Sequence, residues 1–79
     1  MDFYIWLEQQ KNRGDDVGEL AQQFASDPVC PRWSNRLLTY RHYLVYRDAE
    51  EATEPALQSA FKEWKSYKKA RTQPQQAAY

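Results

Sequence analysis

Two prolines, Pro28 and Pro31, set the tightest limit on what this chain can form. Each proline removes an amide donor and pushes the residue before it toward extended backbone, so no helix can run through residues 26–31. The prolines interrupt a chain of only 79 residues, which is enough for one domain with a modest core. A two-domain enzyme is therefore excluded.

Apolar residues recur at helical spacing on both sides of this break. Each apolar segment follows residues suited to a helix N-terminus, namely Asp2, Asp15 with Asp16, Ser34 or Asn35, and Thr53. The pattern predicts four helices: one from the Asp2 cap to about residue 11, then 17–25, 36–47, and one from the Thr53 cap to about residue 71. Of the two glycines, Gly14 is expected to take a positive φ after the first helix, and Gly18 to permit close packing against a neighbouring helix.

No alternating apolar run bounded by hairpin turns is present, so no strand is expected. The predicted fold is all-α, a small four-helix orthogonal bundle that forms a single domain over residues 1–71, followed by a flexible polar tail over 72–79. Its predicted core holds Phe3, Trp6, Leu7, Leu20, Phe24, Leu37, Leu44, Phe61 and Trp64. On the third helix, the buried side predicted from the helical wheel holds Leu37, Leu38, Leu44 and Val45, with Arg41 at its edge.

The residue types argue against catalysis. Cys30 is the only cysteine and His42 the only histidine, so a disulfide within the chain is impossible and a zinc site would lack ligands. His42 has no neighbouring carboxylate to orient it, Cys30 is expected to be buried and inert, and Asp15 and Asp16 are better explained as helix caps than as a metal pair. No enzymatic activity, cofactor or metal is predicted.

Membrane insertion is not expected either. No run approaches the roughly 20 apolar residues that a membrane span needs, and the N-terminus lacks the features of a signal peptide. The predicted location is the cytoplasm.

An arginine-and-tyrosine stripe on the third predicted helix is the main candidate binding surface. Its members are Arg36, Tyr40, Tyr43 and Arg47, and Arg32 and Trp33 lie just before the helix. Arginine and aromatic side chains dominate protein-interface hot spots, and the same types stack bases and neutralise phosphates. A third interpretation is that Tyr40 completes the core while both arginines are solvated.

A secondary basic patch is predicted near the end of the fourth helix. It holds Lys62, Lys65, Lys68, Lys69 and Arg71. Positive charge is favourable at a helix C-terminus for electrostatic reasons alone, but it also suits a phosphate or an acidic partner.

The balance of charge divides the chain. Residues 1–30 hold six acidic and two basic residues, whereas 31–79 hold nine basic and five acidic residues, for a net charge of zero. The zero net charge disfavours a dedicated duplex-DNA binder, while the asymmetry would permit head-to-tail self-association.

The stretch Phe3-Tyr4-Ile5-Trp6-Leu7, the later Asp16-Val17-Gly18-Glu19-Leu20-Ala21, and Ala60 to Tyr67 resemble the YozE-like family of small bacterial proteins. Gln10, Lys11, Arg13, Asp27 and Pro31 extend the likeness. The resemblance implies a fold like the sterile alpha motif. Residues 32–36 and 40–43 are more basic and aromatic than in that family.

From the residues, the expected function is a non-enzymatic interaction module that binds a protein partner as an adaptor or inhibitory regulator. Nucleic-acid binding by the basic C-terminal half is the alternative, and self-association is a further possibility.

Overall fold

The structure, a computed structural model, describes the backbone of residues 1–72 and the side chains of residues 1–70. Four helices account for its regular structure: α1 (Phe3–Glu8), α2 (Asp16–Ser26), α3 (Leu37–Tyr46) and α4 (Thr53–Thr72). The stretch 1–72 contains no strand. The all-α prediction is confirmed, although α1 is shorter than expected and ends at Glu8. Of the predicted tail over 72–79, residues 73–79 lie outside the described residues.

The fourth helix is the axis of the bundle. It has 20 residues, a length of about 30 Å, and it packs against each of the other three helices. Its inward side carries Leu57, Ala60, Phe61 and Trp64, all of them buried. None of the helices within the described range is long and apolar enough to cross a membrane.

The centre of the core is aromatic. Phe3 stacks on Phe61 with 3.9 Å between ring centroids, and it meets the rings of Tyr40 and Trp64 edge-on at 5.2 and 5.5 Å. Phe24 of α2 stacks on the other side of Tyr40 at 5.7 Å. Rings from all four helices thus share one cluster, and such pairs stabilise a fold beyond the area that they bury. The predicted core is confirmed except at Leu37, which is only partly buried.

The predicted buried face of α3 is only partly correct. Leu44 is buried and Leu37 partly buried, and Arg41 is exposed as its place at the edge implied, but Leu38 and Val45 are exposed and Tyr40 is completely buried instead. Large apolar residues occur on every side of α3, so its spacing does not define a single inward face. Tyr40 is the large side chain that α3 buries. Its burial leaves no polar group unsatisfied, because its hydroxyl donates a hydrogen bond to the Ser34 carbonyl at 2.8 Å.

Helix α1 is capped from a distant part of the chain. The Asp2 side chain makes no capping hydrogen bond, contrary to the prediction. Instead, the Phe3 N–H donates to Asn35 Oδ1 at 2.9 Å. Asn35 and Ser34 therefore do not cap α3, whose N-cap residue is Arg36. The predicted cap of α2 is confirmed, since the Gly18 N–H donates to Asp15 Oδ1 at 3.0 Å.

The two glycines differ sharply in their surroundings. No glycine in the described part of the chain has a positive φ, so the role expected for Gly14 is wrong. A Cβ at Gly14 would meet nothing within 4 Å, whereas a Cβ at Gly18 would lie 2.1 Å from the Arg13 carbonyl oxygen. Gly18 does permit a close approach, but to the α1–α2 connection rather than to a neighbouring helix.

We predict that Gly18→Ala destabilises the fold by about 1–3 kcal/mol, because the backbone of Arg13 must move to admit the methyl group. The matched substitution Gly14→Ala should leave stability unchanged or raise it by up to about 1 kcal/mol, since it adds a Cβ in open space and restricts the unfolded chain. Urea unfolding followed by circular dichroism measures both. Equal stabilities for the two variants would contradict the close approach of Gly18 to the Arg13 backbone.

Helix α3 ends in a Schellman motif that lacks the usual glycine. The Ala49 N–H donates to the Leu44 carbonyl and the Asp48 N–H to the Val45 carbonyl, both at 3.0 Å. Asp48 takes the left-handed position, with φ 53°, and no other non-glycine residue in the described range has a positive φ. An L-residue is disfavoured in this conformation, although less so for aspartate than for most residues.

Asp48→Gly should therefore raise stability by about 1 kcal/mol, because glycine adopts a positive φ without a Cβ clash. The corresponding rise in Tm is about 4–8 °C for a domain of this size. Asp48→Asn should stay near the original value and Asp48→Ala should fall below it. Calorimetry of the three variants tests this order, and a lower Tm for the glycine variant would refute it.

Candidate functional site

Much of the predicted arginine-and-tyrosine stripe is used inside the molecule, in a cluster around Asp27. The Asp27 carboxylate accepts hydrogen bonds from the Tyr43 hydroxyl, from both Nε and a terminal nitrogen of the Arg47 guanidinium, and from the Val29 N–H. These donors, chiefly Arg47, hold the pKa of Asp27 far below its usual range. Burial and the bond to Asp27 raise the pKa of Tyr43. The cluster joins the end of α2 to the end of α3.

Arg32 is also engaged within the chain. It donates to the Tyr4 hydroxyl at 2.5 Å and to the Asp27 carbonyl at 3.3 Å, and its guanidinium carbon lies 4.8 Å from the centroid of the Tyr4 ring. Its exposed side chain holds the loop before α3 against α1. This contact fixes the loop and leaves fewer guanidinium donors for a partner.

Tyr40 must be removed from the predicted binding stripe. The side chain is 0% exposed, packs between Phe3 and Phe24, and has its pKa raised by burial. A residue at the centre of the core cannot contact a partner in the folded protein. The third interpretation is correct for Tyr40, which completes the core, but not for Arg47, which is bound to Asp27.

Two residues of the predicted binding surface, Trp33 and Arg36, are exposed and can contact a partner. Trp33 is 76% exposed on the loop before α3. Arg36 is exposed at the N-cap of α3, and its guanidinium makes no hydrogen bond or ion pair with any described residue.

The structure adds a largely apolar outer surface on α3, and two of its members, Leu38 and Val45, are residues that the helical wheel predicts to be buried. We call it the α3 outer face, and it consists of Leu38, His42, Val45 and Tyr46. Leu38, Val45 and Tyr46 are 60, 79 and 72% exposed. Leu38 and Val45, seven residues apart, project within about 20° of each other around the helix axis.

A groove adjoins this face where α3 ends and α4 begins. It encloses about 320 Å³, and we call it the α3–α4 groove. Leu44, Val45 and Ala49 form its apolar part; Arg41, Asp48, Glu50, Glu51 and Glu54 supply charged groups. The one arginine forms an ion pair with Glu54 at 2.6 Å, so the groove has a negative balance of charge.

The four described lysines of the secondary basic patch differ in their surroundings. Lys62, Lys65 and Lys69 project within about 60° of one another on the outward side of α4. Lys68 instead lies over the Trp64 ring, with its ammonium nitrogen 4.0 Å from the centroid. The Arg71 side chain lies outside the described residues.

The residues considered for chemistry are not assembled into a site. Burial raises the pKa of the Cys30 thiol to about 12, which keeps it protonated at neutral pH. His42 is exposed on the α3 outer face. Within the described part of the chain, no group of three or more His, Cys, Asp or Glu side chains is placed to hold a metal ion.

The helices, the aromatic core and the exposed third helix together define a class of small helical bundle built on one long C-terminal helix. The chain belongs to the YozE SAM-like fold family, whose model matches residues 2–69. This match confirms the resemblance found in the sequence and the sterile-alpha-motif-like architecture that it implied. No curated protein and no solved structure matches the chain.

The Asp27 cluster predicts how stability depends on pH. Because the pKa of Asp27 is depressed in the folded state, its contribution is complete above the unfolded pKa of about 4 and is lost as the pH falls toward the folded value. Asp27→Asn should lower Tm at pH 7 and lose less Tm than the original chain between pH 5 and pH 2. The control is Glu8→Gln, which alters an exposed carboxylate of α1 outside the cluster. Parallel pH profiles for the Asp27 variant and the original chain would show that the cluster does not stabilise the fold.

Proposed function

We propose that the chain is a non-enzymatic interaction module that binds a protein partner, as an adaptor or an inhibitory regulator, through the α3 outer face together with Trp33. The observation that carries this proposal is the exposure of Leu38, Val45 and Tyr46 along one helix of a domain this small. Single exposed apolar residues are ordinary, but several on one helical face favour a surface that a partner covers.

The residue types on this surface favour a protein over a nucleic acid. Trp33 and Tyr46 could serve either partner, because both pack on apolar side chains and both stack on bases. Leu38 and Val45 offer neither a stacking ring nor a charge for phosphate. The carboxylates of the adjoining groove, Glu50 and Glu51 among them, would repel a phosphate backbone.

Tyr40, Tyr43 and Arg47 of the predicted stripe hold α3 in place, so that its outer face is presented in a fixed position. The Asp27 cluster fixes the end of α3 through Tyr43 and Arg47, and Tyr40 anchors the middle of the helix in the core. A helix held in this way loses little freedom when a partner binds, which favours affinity.

The test is capture of partners from the cell that encodes the chain, with Leu38→Gln/Val45→Gln compared with the original protein. Both substitutions remove apolar contact area and keep good helix formers, so the fold should be retained while the captured protein is lost. The matched control is Ile5→Gln/Val29→Gln, which removes exposed apolar side chains from α1 and from the loop after α2.

The control variant should capture the same protein as the original chain, as quantified by mass spectrometry, at a recovery within about twofold. The α3 variant should recover at least tenfold less, the change expected for a loss of about 1.4 kcal/mol of binding free energy. Capture that survives in the α3 variant would refute the proposed surface.

Nucleic-acid binding is the second candidate function, and one observation favours it. Lys62, Lys65 and Lys69 are exposed on the same side of α4, at least eight residues along the helix from Glu54 of the acidic groove. Fluorescence anisotropy with single-stranded DNA and RNA at low salt tests it: binding should weaken steeply with added salt and fall in Lys62→Gln/Lys65→Gln. No change in anisotropy at tens of micromolar protein would exclude it.

A further inference from the structure

We propose that the segment bound at the α3 outer face is a basic amphipathic helix of another protein, which places lysine or arginine side chains in the α3–α4 groove. This inference rests on the proposed function and names the chemistry of its partner. Its basis is the juxtaposition of exposed apolar residues on α3 with a partly apolar groove in which three carboxylates have no partner among the described residues.

The charge of the groove is largely uncompensated. Arg41 and Glu54 neutralise each other, which leaves Asp48, Glu50 and Glu51. All three are exposed, and none of their carboxylates makes an ion pair or a side-chain hydrogen bond with a residue of the described range. Three carboxylates around one groove attract cationic groups and repel anionic ones, so they select the sign of the partner's charge.

The same negative field extends around the end of the bundle. A second, smaller depression of about 110 Å³ shares Glu50 with the α3–α4 groove and adds Asp16 and Glu19 of α2. A positively charged segment would therefore be attracted as it approaches and not only after it has docked.

The apolar part of the groove favours long cationic side chains over a simple counterion. Leu44 and Ala49 line it beside Val45, which also belongs to the α3 outer face. A lysine or arginine can lay its methylene stem along such residues while its charged end reaches the carboxylates. Apolar and acidic contacts therefore meet at Val45, and a single segment could make both.

The shape of the surface favours a helical segment. The described residues contain no strand, so there is no sheet edge to which an extended peptide could add. Leu38 and Val45 lie about 10 Å apart along α3, a spacing that suits apolar side chains one to two turns apart on a partner helix. Cationic residues beyond its last apolar position would then lie over the groove.

The experiment is selection from a library of random 16-residue displayed peptides on the immobilised full chain. We expect the enriched peptides to carry net positive charge and apolar residues at i, i+3 or i+4, and i+7. An enriched peptide, synthesised with a fluorescent label, is then titrated against the original chain and against Glu51→Lys. Affinity should fall about fivefold to tenfold in this variant and should also weaken with added salt.

The matched control is Glu8→Lys, which makes the same change in net charge on α1, outside the groove. This variant should bind the peptide within about twofold of the original chain. Circular dichroism of both variants checks that the helices are retained, so that a loss of affinity reports on the groove.

Several outcomes would overturn the inference: enrichment of acidic or uncharged peptides, no enrichment at all, or equal weakening by Glu51→Lys and Glu8→Lys. If sedimentation shows instead that the chain self-associates and that Glu51→Lys abolishes this association, a second copy of the chain would occupy the groove. That result would also overturn the inference. If acidic peptides are enriched but lose binding in Leu38→Gln/Val45→Gln, the inference fails while the proposed function stands. If peptides bind that α3 variant unchanged, the proposed surface itself fails.

Discussion

Packing around the ring of Phe3 is the interaction on which the rest of the structure depends. Phe3 brings together Tyr40 of α3 with Phe61 and Trp64 of α4, so three helices meet at one side chain. Tyr40 is committed to this cluster, and its hydroxyl donates to the Ser34 carbonyl, so the side of α3 that carries Tyr40 faces inward. The opposite side of α3 must then face outward, and it carries Leu38 and Val45 with it. The candidate binding surface is thus a consequence of how the core is filled.

The number of helices and most of the core followed from local signals, namely the prolines, the capping residues and the apolar spacing. The orientation of α3 did not, because its apolar residues surround the helix and the wheel offers several inward faces. What decides between them is the fit of Tyr40 against Phe3 and Phe24, which are remote in sequence. Periodicity measures only the pattern within a segment and carries no information about such distant partners.

The candidate site was predictable only in part for a similar reason. Trp33 and Arg36 were correctly expected to be exposed, but the use of Tyr43 and Arg47 depends on Asp27, which lies 16 and 20 residues earlier. The α3–α4 groove likewise forms only when the Schellman turn at Asp48 sets the start of α4 beside the end of α3. This turn brings charged residues of α3, of the turn itself and of α4 together on one surface. The net charge of each half of the sequence does not predict that surface.

The cap that Asn35 provides for α1 has a consequence for how the protein forms during synthesis. A helix of six residues cannot persist alone in water, and this one depends on a side chain 32 residues downstream and on rings at positions 61 and 64. Nearly the whole domain must therefore emerge from the ribosome before α1 can pack against the rest of the fold. Until then the aromatic residues of α1 stay uncovered, and the domain folds as one cooperative unit.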